Sequence, residues 1–237
     1  MGDSMDDFTA LLSCPVVVIT ITAGAFLLGQ KLYILCKRFP LCHPIVIAAA
    51  AVTVFLEASG VSYAEYKNNT SILGMLLGTA TVALAVPLYQ QLHLIRAYAR
   101  PLLITLVAGA FFAPASAVLL AWLVGANKTT LLSLAAKSVT TPIAVAVTES
   151  IGGIVALAAG VVIVVGIFGA LIGPPILDRL NIQDKAVRGF TLGLVSHAVG
   201  TARAFELDPV SGAFASLGLA LTGALTAIVI PLFWLLF

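Results

Sequence analysis

The stretch IGGIVALAAGVVIVVGIFGALIGPPIL, Ile151 to Leu177, carries no charged side chain. A helix needs about 20 apolar residues to cross a bilayer, so this run is long enough to span with some left over. Seven further runs of comparable character make eight candidate segments, at 15–36, 43–61, 71–92, 101–124, 129–149, 151–177, 186–204 and 211–237. Short connections hold most of the charge: CKRFPLCHP, SYAEYKNNT, HLIRAYARP, GANKTT and LDRLNIQDKAVRG. Of the 237 residues, 61% are hydrophobic and 9% charged, against about 25% charged in ordinary soluble domains. Too little polar surface is available to cover a soluble protein. Long continuous runs also exclude a β-barrel, whose strands alternate. The expected fold is an all-α polytopic membrane protein with seven to eight transmembrane segments. Residues 1–14 form a short tail and 15–237 one membrane domain.

A net charge of +2, without interleaved aromatic and basic residues, gives no reason to expect nucleic acid. Cys14, Cys36 and Cys42 lack a CxxC or a Cys/His ligand pattern, so no metal is expected. The acidic start, MGDSMDDFTALLSC, is unlike a secretory signal, and Met5 stands where a myristoylation motif needs Ser or Thr. No GxSxG, HExxH, P-loop or dinucleotide fingerprint occurs. The expectation is therefore a non-enzyme without cofactor.

Charge bias gives a topology. With eight full spans, Lys37, Arg38, Arg96, Arg100 and Arg203 oppose Lys67, Lys128, Arg179, Lys185 and Arg188, which favours neither side. If segment 129–149 enters and returns, Arg179, Lys185 and Arg188 join the first group and Arg203 leaves it. The positive-inside rule then sets the N-terminus outside and the C-terminus in the cytoplasm, with one segment re-entrant. An inverted repeat of the kind common in secondary transporters is expected from two weak matches. Leu77–Leu92 can be laid on Leu192–Leu207, crossing in opposite directions, and HPIVIAAAAV after His43 on TPIAVAVTES after Thr141.

Charges at bilayer depth are costly and usually functional. Lys137 opens KSVTTPIAVAVTESIGG. Ser138, Thr140 and Thr141 follow it, and Pro142 disfavours helix in the residue before it while suiting a helix's first turn. This predicts an unwound SVTT with a half-helix starting near Pro142, whose free N–H groups suit an anion. Gly152 and Gly153 close the stretch, either as helix enders or as small packing residues. A second polar cluster, SHAVGTARAFELD, contains His197, Gly200, Thr201 and Arg203. A continuous helix would put His197 and Thr201 on one face; a break at Gly200 would divide His197 from Arg203. Arg203 offers a planar fork to a carboxylate, His197 can carry a proton, and Glu206 and Asp208 are candidate partners for Arg203. His197 and Glu206 are the candidates for proton coupling.

At KSVTTPIAVAVTESIGG and SHAVGTARAFE the chain resembles the LrgB/CidB family of bacterial inner-membrane proteins, connected with holin-like control of cell lysis. The C-terminal domain of the plastid glycolate/glycerate transporter is similar to that family. The resemblance runs from FPLCHP at about Pro40, through PLYQQLHLIRAYARP, to the end of the chain. It implies passage of small monocarboxylates such as glycolate, glycerate or pyruvate. It also implies a small LrgA/CidA-type membrane partner. Lys137, Ser138, Thr140, Thr141, Pro142, His197, Gly200, Thr201 and Arg203 match its motifs, as do Gly152 and Gly153; Thr148 and Glu149 do not. Two functions follow: a proton-coupled secondary transporter working by alternating access, or a holin/antiholin-associated protein controlling murein hydrolase activity and lysis, including as a pore subunit. A homodimer in the lipid bilayer is the expected assembly.

Overall fold

The computed structural model describes residues 11–36, 39, 42–83 and 85–236. Among them every regular element is helical: α1 (Pro15–Leu35), α2 (Pro44–Ser59), α3 (Tyr63–Asn69), α4 (Ser71–Ala83), α5 (Ala85–Gln90), α6 (Leu92–Ala97), α7 (Ala99–Leu123), α8 (Lys128–Ala135), α9 (Thr141–Ser150), α10 (Val155–Arg179), α11 (Lys185–Leu207) and α12 (Pro209–Leu236). The chain divides into two compact units at Ala83/Leu84. Residues 1–10 of the expected tail, and Lys37 and Arg38 of the charge count, lie outside the described residues.

In the first unit α1 has the length and apolarity to cross a membrane. α2 returns beside it. A Cβ on Gly29 would come within 2.9 Å of the Pro44 carbonyl oxygen, so the backbones touch where no side chain intervenes. The Tyr33 and His43 rings meet edge to face. Gly60, at φ 72°, ends α2 in the left-handed conformation that glycine adopts cheaply. A Ser62–Glu65 capping box then starts α3. α3 is tied back to the start of α1 by Tyr66 and Thr22, 2.9 Å apart, and by Asn69 Nδ2 donating to the Ser13 carbonyl.

The second unit contains three further helices long and apolar enough to cross: α7, α10 and α12. Between them lie two hairpins that do not cross. The first is α8 and α9, eight and ten residues long, or about 12 and 15 Å of rise, against a hydrocarbon core of about 30 Å. Residues 136–140 between them are not helical. Ile154 N donates to Ser133 Oγ at 2.7 Å, so the chain beyond α9 has returned to the level of α8. Segment 129–149 is thus two short helices folded back on one another rather than one continuous helix.

The second hairpin corrects the sequence expectation. Segment 186–204 is expected to span, yet α11 turns back at His197, whose φ of 43° and ψ of −128° are not helical. In a straight helix Lys185 and Asp208 would lie about 34 Å apart. Here Lys185 Nζ meets Asp208 Oδ2 at 2.7 Å, and Ser211 Oγ donates to the Lys185 carbonyl at 2.9 Å. Leu192 and Ala204, twelve residues apart in sequence, share one buried cluster with Ala215. A Cβ on Gly200 would sit 2.2 Å from the Leu192 carbonyl oxygen. The break therefore falls at His197, not at Gly200, which serves instead to let the two arms touch.

Beyond the hairpin, α12 runs parallel to its first arm: Gly189 lies against Ser211, and Gly193 against Ala215. Leu102 and Leu106 of α7 pack on Ala186, Phe190, Leu194 and Phe214. Tyr98, just before α7, donates to Asp184 at 2.8 Å, and Arg188 bonds Asp178 at the end of α10. At the opposite end, Lys128 Nζ lies 4.7 Å from the Trp234 ring. The two hairpins thus enter from opposite ends of α10. Because 186–204 does not cross, α12 finishes at the end opposite Lys185. The expectation of a C-terminus on the side of Arg179, Lys185 and Arg188 is overturned. The expected crossing of Leu192–Leu207 falls for the same reason, and its partner stretch Leu77–Leu92 includes Leu84, which lies outside the described residues.

Candidate functional site

The two hairpin tips meet on α10. Ala136 and Val139 of the first tip, with Ala144 and Val147 of α9, bury Val162 of α10 completely. The second tip reaches the same residue from the other side: His197 Nε2 lies 2.9 Å from the Val162 carbonyl oxygen. A carbonyl only accepts, so Nε2 carries the proton and Nδ1 is the nitrogen left to take up another. Gly166, one turn further along α10, makes the approach possible. A Cβ there would lie 2.6 Å from His197 Cε1. Gly169 accommodates Ser196 and Gly173 accommodates Leu192 in the same way. The positive φ of His197, unusual for a residue with a side chain, is held by this bond and by Thr201 Oγ1, which donates to the His197 carbonyl at 2.8 Å.

The first tip is shaped by its sequence. α9 begins at Thr141 with Pro142 in its first turn, and Thr140 occupies the N-cap position without a side-chain cap hydrogen bond. Lys137 sits on the unwound segment, partly buried. Its ammonium bonds Ser138 Oγ at 3.2 Å, and no carboxylate pairs with it among the described residues. Eight or nine residues from Lys128 along a helical path bring it about 13 Å inward, close to half the core thickness. The return arm of each hairpin starts at its tip, so two helix N-termini, each with free N–H groups and partial positive charge, point toward the Val162 level.

The remaining expected residues divide. Gly200 and Thr201 support the second hairpin internally. Arg203, six residues past the tip and so about 9 Å along the return arm, pairs with Glu206 at 2.7 Å; its Nε is buried without a partner. Glu206 stands with it, away from the tip. Asp208, a candidate partner for Arg203, clamps Lys185 instead. Gly152 (φ 78°) makes the turn after α9, while a Cβ on Gly153 would lie 2.6 Å from Thr148 Cγ2 and 3.0 Å from Ser133 N. Gly152 thus stands at a left-handed turn and Gly153 at a close contact with α8. Sequence reasoning missed Val162, Gly166, Gly169 and Ser196, whose hydroxyl is fully buried and unpartnered. A signal existed in the spacing of Gly166, Gly169 and Gly173, which marks one face of α10.

The sequence profile of the LrgB-like family matches residues 22–236. The chain is 34% identical to an uncharacterized protein, YxaC, of Bacillus subtilis (strain 168), covering 92% of this chain and 94% of that one. It is 32% identical to a holin-like protein CidB of Staphylococcus epidermidis, over 84% and 86%, and 31% identical to an antiholin-like protein LrgB of Bacillus subtilis, over 92% and 95%. No solved structure matches. The several apolar spans and these relatives identify a multi-pass membrane protein.

Proposed function

Since the chain belongs to the LrgB-like family, we propose that it is a secondary transporter of small monocarboxylates, of the glycolate, glycerate or pyruvate class, and not an enzyme. One observation carries the reading: a lysine with no carboxylate partner among the described residues stands at bilayer depth where two hairpin tips, entering from opposite ends, meet on Val162. The substrate carboxylate binds Lys137, the hydroxyls of Ser138, Thr140 and Thr141, and the N–H groups that open α9 at Pro142. His197, held on the far side of Val162 by the other tip, carries the coupling proton at Nδ1. Arg203 draws the anion along the return arm. Each hairpin shields the site from one side of the membrane, and withdrawing one at a time gives alternating access. The inversion in this proposal belongs to the two hairpins rather than to Leu77–Leu92.

In the second unit, the positive-inside rule sets the end bearing Arg96, Arg100, Arg179, Lys185 and Arg188 in the cytoplasm, and the Lys128 end of α12 outside. The inner membrane, a twofold assembly and an LrgA/CidA-type small partner complete the proposal.

The test is uptake of labelled glycolate, glycerate and pyruvate into proteoliposomes containing the full chain. Saturable uptake with counter-exchange is expected, and Lys137→Ala should reduce it at least tenfold while leaving insertion and the melting temperature close to wild type. Undiminished uptake by Lys137→Ala would remove the anion site. A second reading, a holin-like or antiholin-like effector of lysis, is favoured by the names of the CidB and LrgB relatives. Non-saturating solute flux, without counter-exchange, would support it instead.

A further inference from the structure

A cavity of about 420 Å³ opens between α7, α8 and α12, and none of the tips' polar residues lines it. Its wall includes Pro114, Leu132, Ile151, Leu225 and Val229, and Lys128 is the only charged residue lining it. The size falls in the range, about 300–1,000 Å³, of pockets that hold small ligands. The wall has almost nothing with which to bind a carboxylate or a sugar in its depths. From Trp234 to Leu225 the cavity follows α12 for about 13 Å, and from Lys128 to Ala135 it follows α8 for about 10 Å. That depth approaches one leaflet, half of the roughly 30 Å core. Lys128 stands over the Trp234 ring at the outer end, and lysine with tryptophan is the usual pairing of membrane–water interfaces. No carboxylate neutralises Lys128 among the described residues.

We infer that this groove holds one acyl chain of an anionic phospholipid from the leaflet at the Lys128 end, with its phosphate on the Lys128 ammonium. The apolar wall, the one-leaflet depth and the single cation at the mouth each match a part of that molecule. The lipid chain forms the outer wall of the first hairpin, touching α8 along one side up to Ala135, next to the tip. This inference stands apart from the transport reading, since it concerns what supports the hairpin and not what the tip binds.

The experiment is native mass spectrometry of the full chain in detergent, with phosphatidylglycerol and phosphatidylcholine of identical acyl chains in competition, and thermal melts with each. Phosphatidylglycerol is expected to be retained about fivefold over phosphatidylcholine, the preference one lysine supplies near an anionic headgroup, and to raise the melting temperature. Lys128→Gln should abolish the preference while still binding both lipids. Leu132→Trp, which fills the groove, should remove both, and Ala115→Phe does the same from α7 should the first variant fail to fold. Equal retention of the two lipids by the wild type, or undiminished phosphatidylglycerol on the filled variants, overturns the inference. So does a photo-crosslinker at position 132 that captures protein, a second copy or a partner's helix, in place of lipid.

Discussion

Replacing Gly200 by alanine distinguishes a hairpin from a straight helix by the sign of its effect. In a continuous α11 the Leu192 carbonyl would lie about 12 Å from residue 200, and Gly→Ala in a helix interior would stabilise by up to about 1 kcal/mol. In the folded-back arm the new Cβ would sit 2.2 Å from the Leu192 carbonyl oxygen and 2.6 Å from Ser196 Cβ. A backbone oxygen cannot rotate aside, so the cost falls at the upper end of overpacking, about 3 kcal/mol. Subtracting the helix gain leaves a loss of about 2 kcal/mol. At about 2–4 °C per kcal/mol for a chain of this size, the melting temperature should drop by roughly 4–8 °C. The assay is a thermal melt of the purified full chain in detergent. Gly160→Ala on α10, where a Cβ meets nothing within 4 Å, is the control and should melt at or slightly above wild type. If Gly200→Ala melts with that control, the arms do not touch and the hairpin argument fails.

Two further outcomes follow from the contacts that hold the hairpins closed. Ser133→Ala removes the acceptor of the Ile154 N–H; Ile154 is 45% exposed, so water can take over part of the bond and the loss is about 1 kcal/mol; the same melt should fall by about 2–4 °C, and an unchanged melt would mean the first hairpin is not closed there. At the base of the second hairpin, the Lys185 ammonium, aided by the Val210 and Ser211 amides, holds the Asp208 carboxyl below its ordinary value of 3.8. A depressed carboxylate contributes stability that is complete above the ordinary value and is lost as pH falls from there through the lowered value of the folded state. Wild type should therefore lose more thermal stability than Asp208→Asn between about pH 5 and 3, and parallel pH curves for the two would dismiss the clamp.

Much of the first hairpin was legible in the sequence because local chemistry dictates it. Pro142 fixes a helix start, Lys137 and the hydroxyls that follow it resist burial in a continuous helix, and the glycine pair ends the return arm. The charge asymmetry of the loops independently favoured a segment that turns back, although the C-terminal placement drawn from it did not survive. The second hairpin was misread because nothing local forces the break. His197 is not a helix breaker, and its left-handed backbone is held by a carbonyl 35 residues away on α10. Gly200 offered itself as the breaker, but its role is a contact between arms, visible only once they are folded together. Asp208 likewise looked like a partner for the nearby Arg203, whereas the clamp with Lys185 spans 23 residues. Tertiary contacts set these features, and apolar periodicity carries no record of them.

The clamp has a consequence for how the chain is made. Because Lys185 and Asp208 lie at the same place, the residues between them enter and leave the lipid through a single point. In the first hairpin Ile154 returns to Ser133, partway along α8. Neither excursion requires a polar loop to be translocated, so each can slip in after α7, α10 and α12 have been threaded by the insertion machinery. Such an order would set the spans in place first and the folded-back inserts last, once the helices that receive them already stand.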